Sequence, residues 1–204
     1  MHATSGSSVV LEVPAWIDEA VRAYPGDLSG EDARVALAIA LSRENVDRGG
    51  GPFGAAVFLG PRLVAAGVNL VMGSGLTIAH AEIVAIMRAQ KALLEAPEGA
   101  GSLPPGAPRA GYALYASTEP CIQCFGATLW SGVDRLVCGA ETSDAESIGF
   151  DEGPKPGDWV ESLVSRGIAV TRGVRRAEAR AVLEEYARRG GPIYGRTATT
   201  RSRT

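Results

Sequence analysis

The chain has 204 residues, 46% of them hydrophobic and 21% charged, with a formal net charge of −3. That length suits one domain with a sizeable buried core, and no apolar run approaches the ~20 residues a membrane span requires. The acidic balance argues against a surface built to grip phosphates, and three cysteines are too few for a disulfide framework.

The N-terminus, Met1-His2-Ala3-Thr4-Ser5, lacks a basic start, and the apolar stretch Val9–Leu11 is too short for a secretory signal. A reducing, cytoplasmic setting is the expectation. Residues 1–28 read as an N-terminal arm ahead of one domain over 29–190. Ser29-Gly30-Glu31-Asp32 reads as a helix start, and apolar Val35, Leu37, Ala38, Ile39 and Leu41 carry that helix towards the glycines at 49–51. Phe53–Leu59 and Leu63–Val68 read as strands joined at Gly60-Pro61. Ala79–Leu94 places Ile83, Ile86, Met87 and Leu94 at helical spacing. Ala96–Arg109 is rich in Pro and Gly and reads as a surface loop. Then follow a strand at Tyr112–Ala116, a helix at Cys121–Trp130, strands at Val133–Cys138 and Ile168–Thr171, and a helix at Arg176–Arg189. Residues 191–204 form a tail whose Thr/Arg-rich end is expected to be disordered.

A hairpin followed by strand–helix alternation predicts an α/β fold with helices on both faces of a mixed sheet. Ligand sites of such open sheets lie at the C-terminal ends of strands. The arginine clusters (Arg172, Arg175, Arg176; Arg188, Arg189; Arg196, Arg201, Arg203) read as solvated faces, given the acidic total. Neither a nucleic-acid partner nor a membrane is expected.

Two short motifs carry chemistry: His80-Ala81-Glu82 and Pro120-Cys121-Ile122-Gln123-Cys124. One imidazole and two thiolates suit zinc in tetrahedral geometry. Three protein ligands leave the fourth position for water, which marks a catalytic site. Cys121 and Cys124, three apart, share a helix face, and Pro120 fits the first turn of that helix. The positive end of the helix dipole favours the thiolate form that binds metal. His80 and Glu82, two apart, do not share a helix face. They converge only where His80 lies in an irregular first turn with Glu82 just inside. Glu82 is then free to move protons. Cys138, in the apolar run Arg135–Ala140, reads as a small core residue. Taken singly, a C-x-x-C also fits a redox pair or a structural zinc half-site. With H-x-E ahead of it and the proline in place, it matches the signature of zinc deaminases.

On these motifs the chain resembles the cytidine deaminase-like superfamily, and within it the bacterial guanine deaminases, some of which also accept ammeline. Further matching stretches are Gly51–Phe58, Asn69, Ser117–Ala127, Trp130–Val133, Ile148–Pro154 and Gly191–Tyr194. Trp130–Val133 and Ile148–Pro154 are more specific than the zinc motifs and point away from tRNA adenosine editors. The resemblance implies a three-layer α/β/α sandwich with a mixed five-stranded sheet, one zinc ion per subunit, and a homodimer whose C-terminal segment can swap and cover the site. It implies hydrolytic deamination of a free nucleobase, guanine to xanthine plus ammonia, with ammeline, cytosine, cytidine and guanosine as rival substrates. By the same resemblance Asn69 contacts the base, the Ala81 N–H holds a ring carbonyl, and Phe53 walls the pocket. Glu146 supplies a second carboxylate and Tyr194 closes the pocket. Read alone, Asn69 also suits a turn, Phe53 a core and Glu146 a loop. Tyr194 is followed by Gly195 where relatives often have Asn, and the loop at 96–109 is long. Both departures bear on the lid.

Overall fold

A computed structural model describes residues 9–95 and 106–195. Five strands, β1 (Gly54–Leu59), β2 (Arg62–Val68), β3 (Tyr112–Thr118), β4 (Arg135–Ala140) and β5 (Ala169–Thr171), form one sheet in the order β2-β1-β3-β4-β5. β1 pairs antiparallel with β2 and β3, while β3–β4 and β4–β5 are parallel, so the sheet is mixed.

Successive strand side chains point to opposite faces, and the core divides accordingly. Ala56 and Phe58 of β1, Tyr115 of β3 and Val137 of β4 face one layer, with helices α1 (Trp16–Ala23), α2 (Glu31–Asp47) and α8 (Arg176–Arg188). Ala55, Val57, Leu114, Leu136 and Cys138 face the other, with α4 (Ala81–Leu94), α5 (Ile122–Trp130) and α7 (Trp159–Val164). Short helices α3 (Val71–Ser74) and α6 (Thr142–Ser147) follow β2 and β4. The result is the expected three-layer α/β/α sandwich, with both faces of the sheet covered. Gly67 lets α4 lie close on β2: a Cβ there would stand 2.5 Å from the Ala85 backbone nitrogen. Among the described residues no helix is long and apolar enough to cross a membrane.

The differences from the sequence reading are local. Part of the segment read as an arm is α1, which inserts Ile17, fully buried, into the core. The cap of α2 is Gly30, because the Ser29 hydroxyl donates to Asp27 at 2.8 Å instead of closing a capping box. Helices α3, α6 and α7 went unread, being only 4 to 6 residues long. Pro120 lies outside α5, whose cap is Cys121 in extended geometry. The loop read over 96–109 and the Thr/Arg stretch after residue 195 fall largely outside the described residues.

Candidate active site

Two strands deliver two helix starts to one place. The chain leaves β2 through Asn69 and α3 and reaches His80, the N-cap of α4 (φ −70°, ψ 156°). β3 ends at Thr118, and Cys121 caps α5 three residues later. In this cap geometry an N-cap side chain reaches back over the N3 residue, here Cys124. His80 Nδ1 lies 3.4 Å from Cys121 Sγ and 3.5 Å from Cys124 Sγ, and the three ligand atoms fall within 4.8 Å of one another. Tetrahedral zinc at ~2.3 Å from sulfur and ~2.0 Å from nitrogen holds such atoms ~3.5 Å apart. The donor set and its spacing therefore fit one zinc ion. Hydrogen bonding from Cys124, with help from the His80 imidazole, draws the Cys121 thiol down to about 4, while the same bond and burial push Cys124 up.

Glu82 stands at the second helical position of α4, 8% exposed, in no ion pair among the described residues. Burial, then the charge on Cys121, raises its carboxyl above the usual carboxylate range. A carboxylic group that accepts and returns a proton near neutral pH needs such a shift.

A cavity opens beside these groups, lined by Phe53, Asn69, Glu119, Phe150, Glu152 and Tyr194 besides the metal-side residues. Asn69 is buried at the end of β2. Its Oδ1 accepts the Val71 N–H at 3.1 Å, so it does serve a turn, but its Nδ2 has no partner. The Tyr194 hydroxyl is likewise buried and unpartnered, with its ring edge-on to Phe150 at 5.1 Å. Phe53 is half-buried and meets Phe150 at 5.0 Å. Ala81 does not line the cavity. Its N–H is one of the first four of α4, which lack an intrahelical partner.

Glu146 lies exposed on α6 and lines a hollow with Gly149, Phe150 and Asp151, of which Phe150 and Asp151 also line the cavity beside His80 and Cys121. The chain turns back after α6 through Gly149 (φ 106°) and lays Glu152 into the cavity. The Glu152 carbonyl accepts the Ile122 N–H at 2.9 Å, tying this loop to the start of α5. Burial, then the charges on Cys121 and Glu82, push the Glu152 carboxyl up to about 8. No spacing or motif in the sequence singles out Glu152. The available signal was its place inside Ile148–Pro154, the stretch most specific to the resemblance.

A polar network supports the cysteine loop from below. The buried Glu119 carboxylate accepts from Thr142 N (2.9 Å), Thr142 Oγ1 (2.8 Å) and Arg172 Nε. Lys155 donates to the Pro120 carbonyl at 2.8 Å and to Thr142 Oγ1 at 2.7 Å. Cys138 is fully buried on the sheet and takes no part in the metal set.

A mixed five-stranded sheet with one imidazole and two thiols gathered at its strand ends, beside a buried carboxyl group in no ion pair among the described residues, defines a catalytic zinc domain. Residues 30–140 match the model of the cytidine and deoxycytidylate deaminase zinc-binding region, and the chain belongs to that family. It is 39% identical over 116 residues to the guanine deaminase of Bacillus subtilis (strain 168), covering 56% of this chain and 67% of that protein. The solved guanine deaminase from Nitrosomonas europaea is 41% identical with a TM-score of 0.78, covering 90% of this chain and 98% of that one. A solved variant in complex with 8-azaguanine aligns with the same identity, TM-score and coverage.

Proposed function

We propose that the protein is a zinc-dependent aminohydrolase converting guanine and water to xanthine and ammonia. One observation carries this reading: Glu82 is buried beside a one-nitrogen, two-sulfur ligand set and is spent on no ion pair. Structural zinc sites have no use for such a carboxylate. The similarity to guanine deaminases, and the 8-azaguanine held by a solved relative, point to the purine.

His80, Cys121 and Cys124 would hold the metal, which when bound would supply a water activated near neutral pH. Glu82 is placed to accept a proton from the attacking water as its oxygen bonds to C2 of the base, and to return protons to the ring nitrogen and to the departing amine as the C–N bond breaks and ammonia leaves. Glu152, protonated or ionised near neutrality, faces the same space and assists in holding or moving a proton. Asn69 Nδ2 and the Tyr194 hydroxyl offer their unused hydrogen-bonding capacity to the base. Phe53 and Phe150 wall it, and the resemblance alone assigns the Ala81 N–H to a ring carbonyl. Tyr194 inside the cavity leaves less room for a ribose, which favours a free base.

Arg172, Arg175, Arg176, Arg188 and Arg189 each pair with carboxylates, which supports a small-molecule substrate over a nucleic acid. Two metal-ligating thiols suit the reducing cytoplasm. We also infer a homodimer from the resemblance, which light scattering will test.

The functional test is ammonia release from guanine, ammeline, cytosine, cytidine and guanosine by zinc-loaded protein. Guanine is expected to be turned over fastest. Turnover of a nucleoside with guanine left untouched contradicts the assignment.

A further inference from the structure

Three glycines follow α2, and each answers a different demand. Gly49 takes φ 83°, where a side chain is strained. A Cβ on Gly50 would stand 2.4 Å from Asn45 Oδ1. These two shape the exit from α2 into β1. A Cβ on Gly51 would meet the opposite end of the chain, standing 2.0 Å from the Tyr194 hydroxyl and 3.1 Å from Asn69 Oδ1.

The two sides of that contact are not equally fixed. Gly51 belongs to the core side: its carbonyl accepts from buried Asn45 Nδ2 at 2.8 Å and from Phe53 N at 2.9 Å. Asn45 also holds the Asn69 carbonyl at 2.9 Å, so one buried amide sets both Gly51 and Asn69. Tyr194 arrives on the tail. The Tyr186 hydroxyl donates to the Pro192 carbonyl at 2.6 Å, and Phe150 bridges the Tyr186 and Tyr194 rings. These contacts hold the ring of Tyr194 and leave its hydroxyl without a partner, next to the Asn69 amide whose Nδ2 also lacks one. Two buried, unsatisfied polar groups side by side at a cavity wall are costly unless something else binds them.

We propose that Gly51 is a positioning residue for substrate. Its missing Cβ is the slot that admits the Tyr194 hydroxyl beside Asn69, and the tail thereby completes the base-binding end of the cavity. The proposal rests on the deaminase reading for its substrate and on packing alone for the slot. Because the tightest contact is with the tip of a side chain on the tail, Gly51→Ala displaces the tail, while Asn69 Oδ1, 3.1 Å from the added Cβ, has only a few tenths of an ångström to give.

A double-mutant cycle tests this, comparing Gly51→Ala, Tyr194→Ala and the pair. It reads three quantities: KM and kcat for guanine, zinc content, and hydrogen exchange of the peptide spanning residues 190–195. Gly51→Ala is expected to raise KM about tenfold, the scale of one lost buried hydrogen bond, with kcat and zinc content close to wild type and faster tail exchange. In the Tyr194→Ala background it should add nothing to either effect. Wild-type KM and tail exchange in Gly51→Ala overturn the proposal, as does an effect that persists undiminished without Tyr194. If guanine is not turned over, exchange that rises in Gly51→Ala and is not additive with Tyr194→Ala still supports the slot. That result overturns only the substrate reading.

Discussion

The metal end and the tail end of the cavity are built by different means. At the metal end, His80 and Cys121 are helix caps, and Glu82 and Cys124 lie in the first turns behind them. Each is fixed by a helix packed on the sheet, with residues such as Ala85 and Cys124 fully buried. At the tail end, Glu152 sits on a loop, and Tyr194 on a segment held by hydrogen bonds from the Tyr186 hydroxyl to the Pro192 carbonyl and from Gly191 N to the Tyr186 carbonyl, and by ring contacts. Chemistry that needs sub-ångström placement is carried by caps on rigid elements. On the proposed function, recognition of the base falls to the loop and tail segments. The lesson is that loss of a metal-end residue should strike turnover, and loss of a tail-end residue should strike binding.

The largest effect expected is at the ligands. Cys121→Ser or His80→Ala should lose zinc, read by metal analysis, and with it all measurable ammonia release. Zinc retained at wild-type content in either variant breaks the metal assignment. Glu152→Gln sharpens the comparison because Glu152 sits on a loop of the tail end that is tied to the start of α5. If its carboxyl moves a proton, kcat should fall about 10²-fold with zinc retained, whereas a purely packing role leaves kcat near wild type. The smallest effect is on stability. Asp144→Ala removes the acceptor for Glu141 N (2.9 Å) and Arg176 Nε (2.8 Å) at the start of α6. Loss of that cap should cost about 1 kcal/mol in denaturant unfolding at pH 7. The Arg176 guanidinium holds the Asp144 carboxyl below its ordinary value. The carboxylate therefore stabilises the fold above the unfolded Asp value of ~3.9, and the gap between variant and wild type should close as pH falls below that.

The same contrast decides what could be read from the sequence. The metal end was legible because a cap residue and its turn are contiguous, so the spacing of His80, Glu82, Cys121 and Cys124 encodes geometry directly. The strands were legible from apolar runs bounded by Gly60-Pro61 and similar turns. Helix α1 was missed although Trp16, Ile17, Ala20 and Val21 fall at helical spacing, because Ala15 offers no side-chain cap. Nothing local separates Glu146 from Glu152, so the sequence did not single out Glu152. Both are acidic residues near a loop, and only the turn at Gly149 and the bond from Ile122 N to the Glu152 carbonyl bring the latter inside. Gly51 and Tyr194 stand at opposite ends of the chain, so their contact exists only in three dimensions.

The central claim is that a buried carboxylate beside a three-ligand zinc site moves the protons of a deamination. Steady-state ammonia release from guanine by Glu82→Gln, with zinc content measured on the same sample, tests it most directly. The account predicts full zinc content, KM close to wild type, and kcat lower by at least about 10²-fold. Zinc-replete Glu82→Gln turning over guanine at close to the wild-type rate contradicts it.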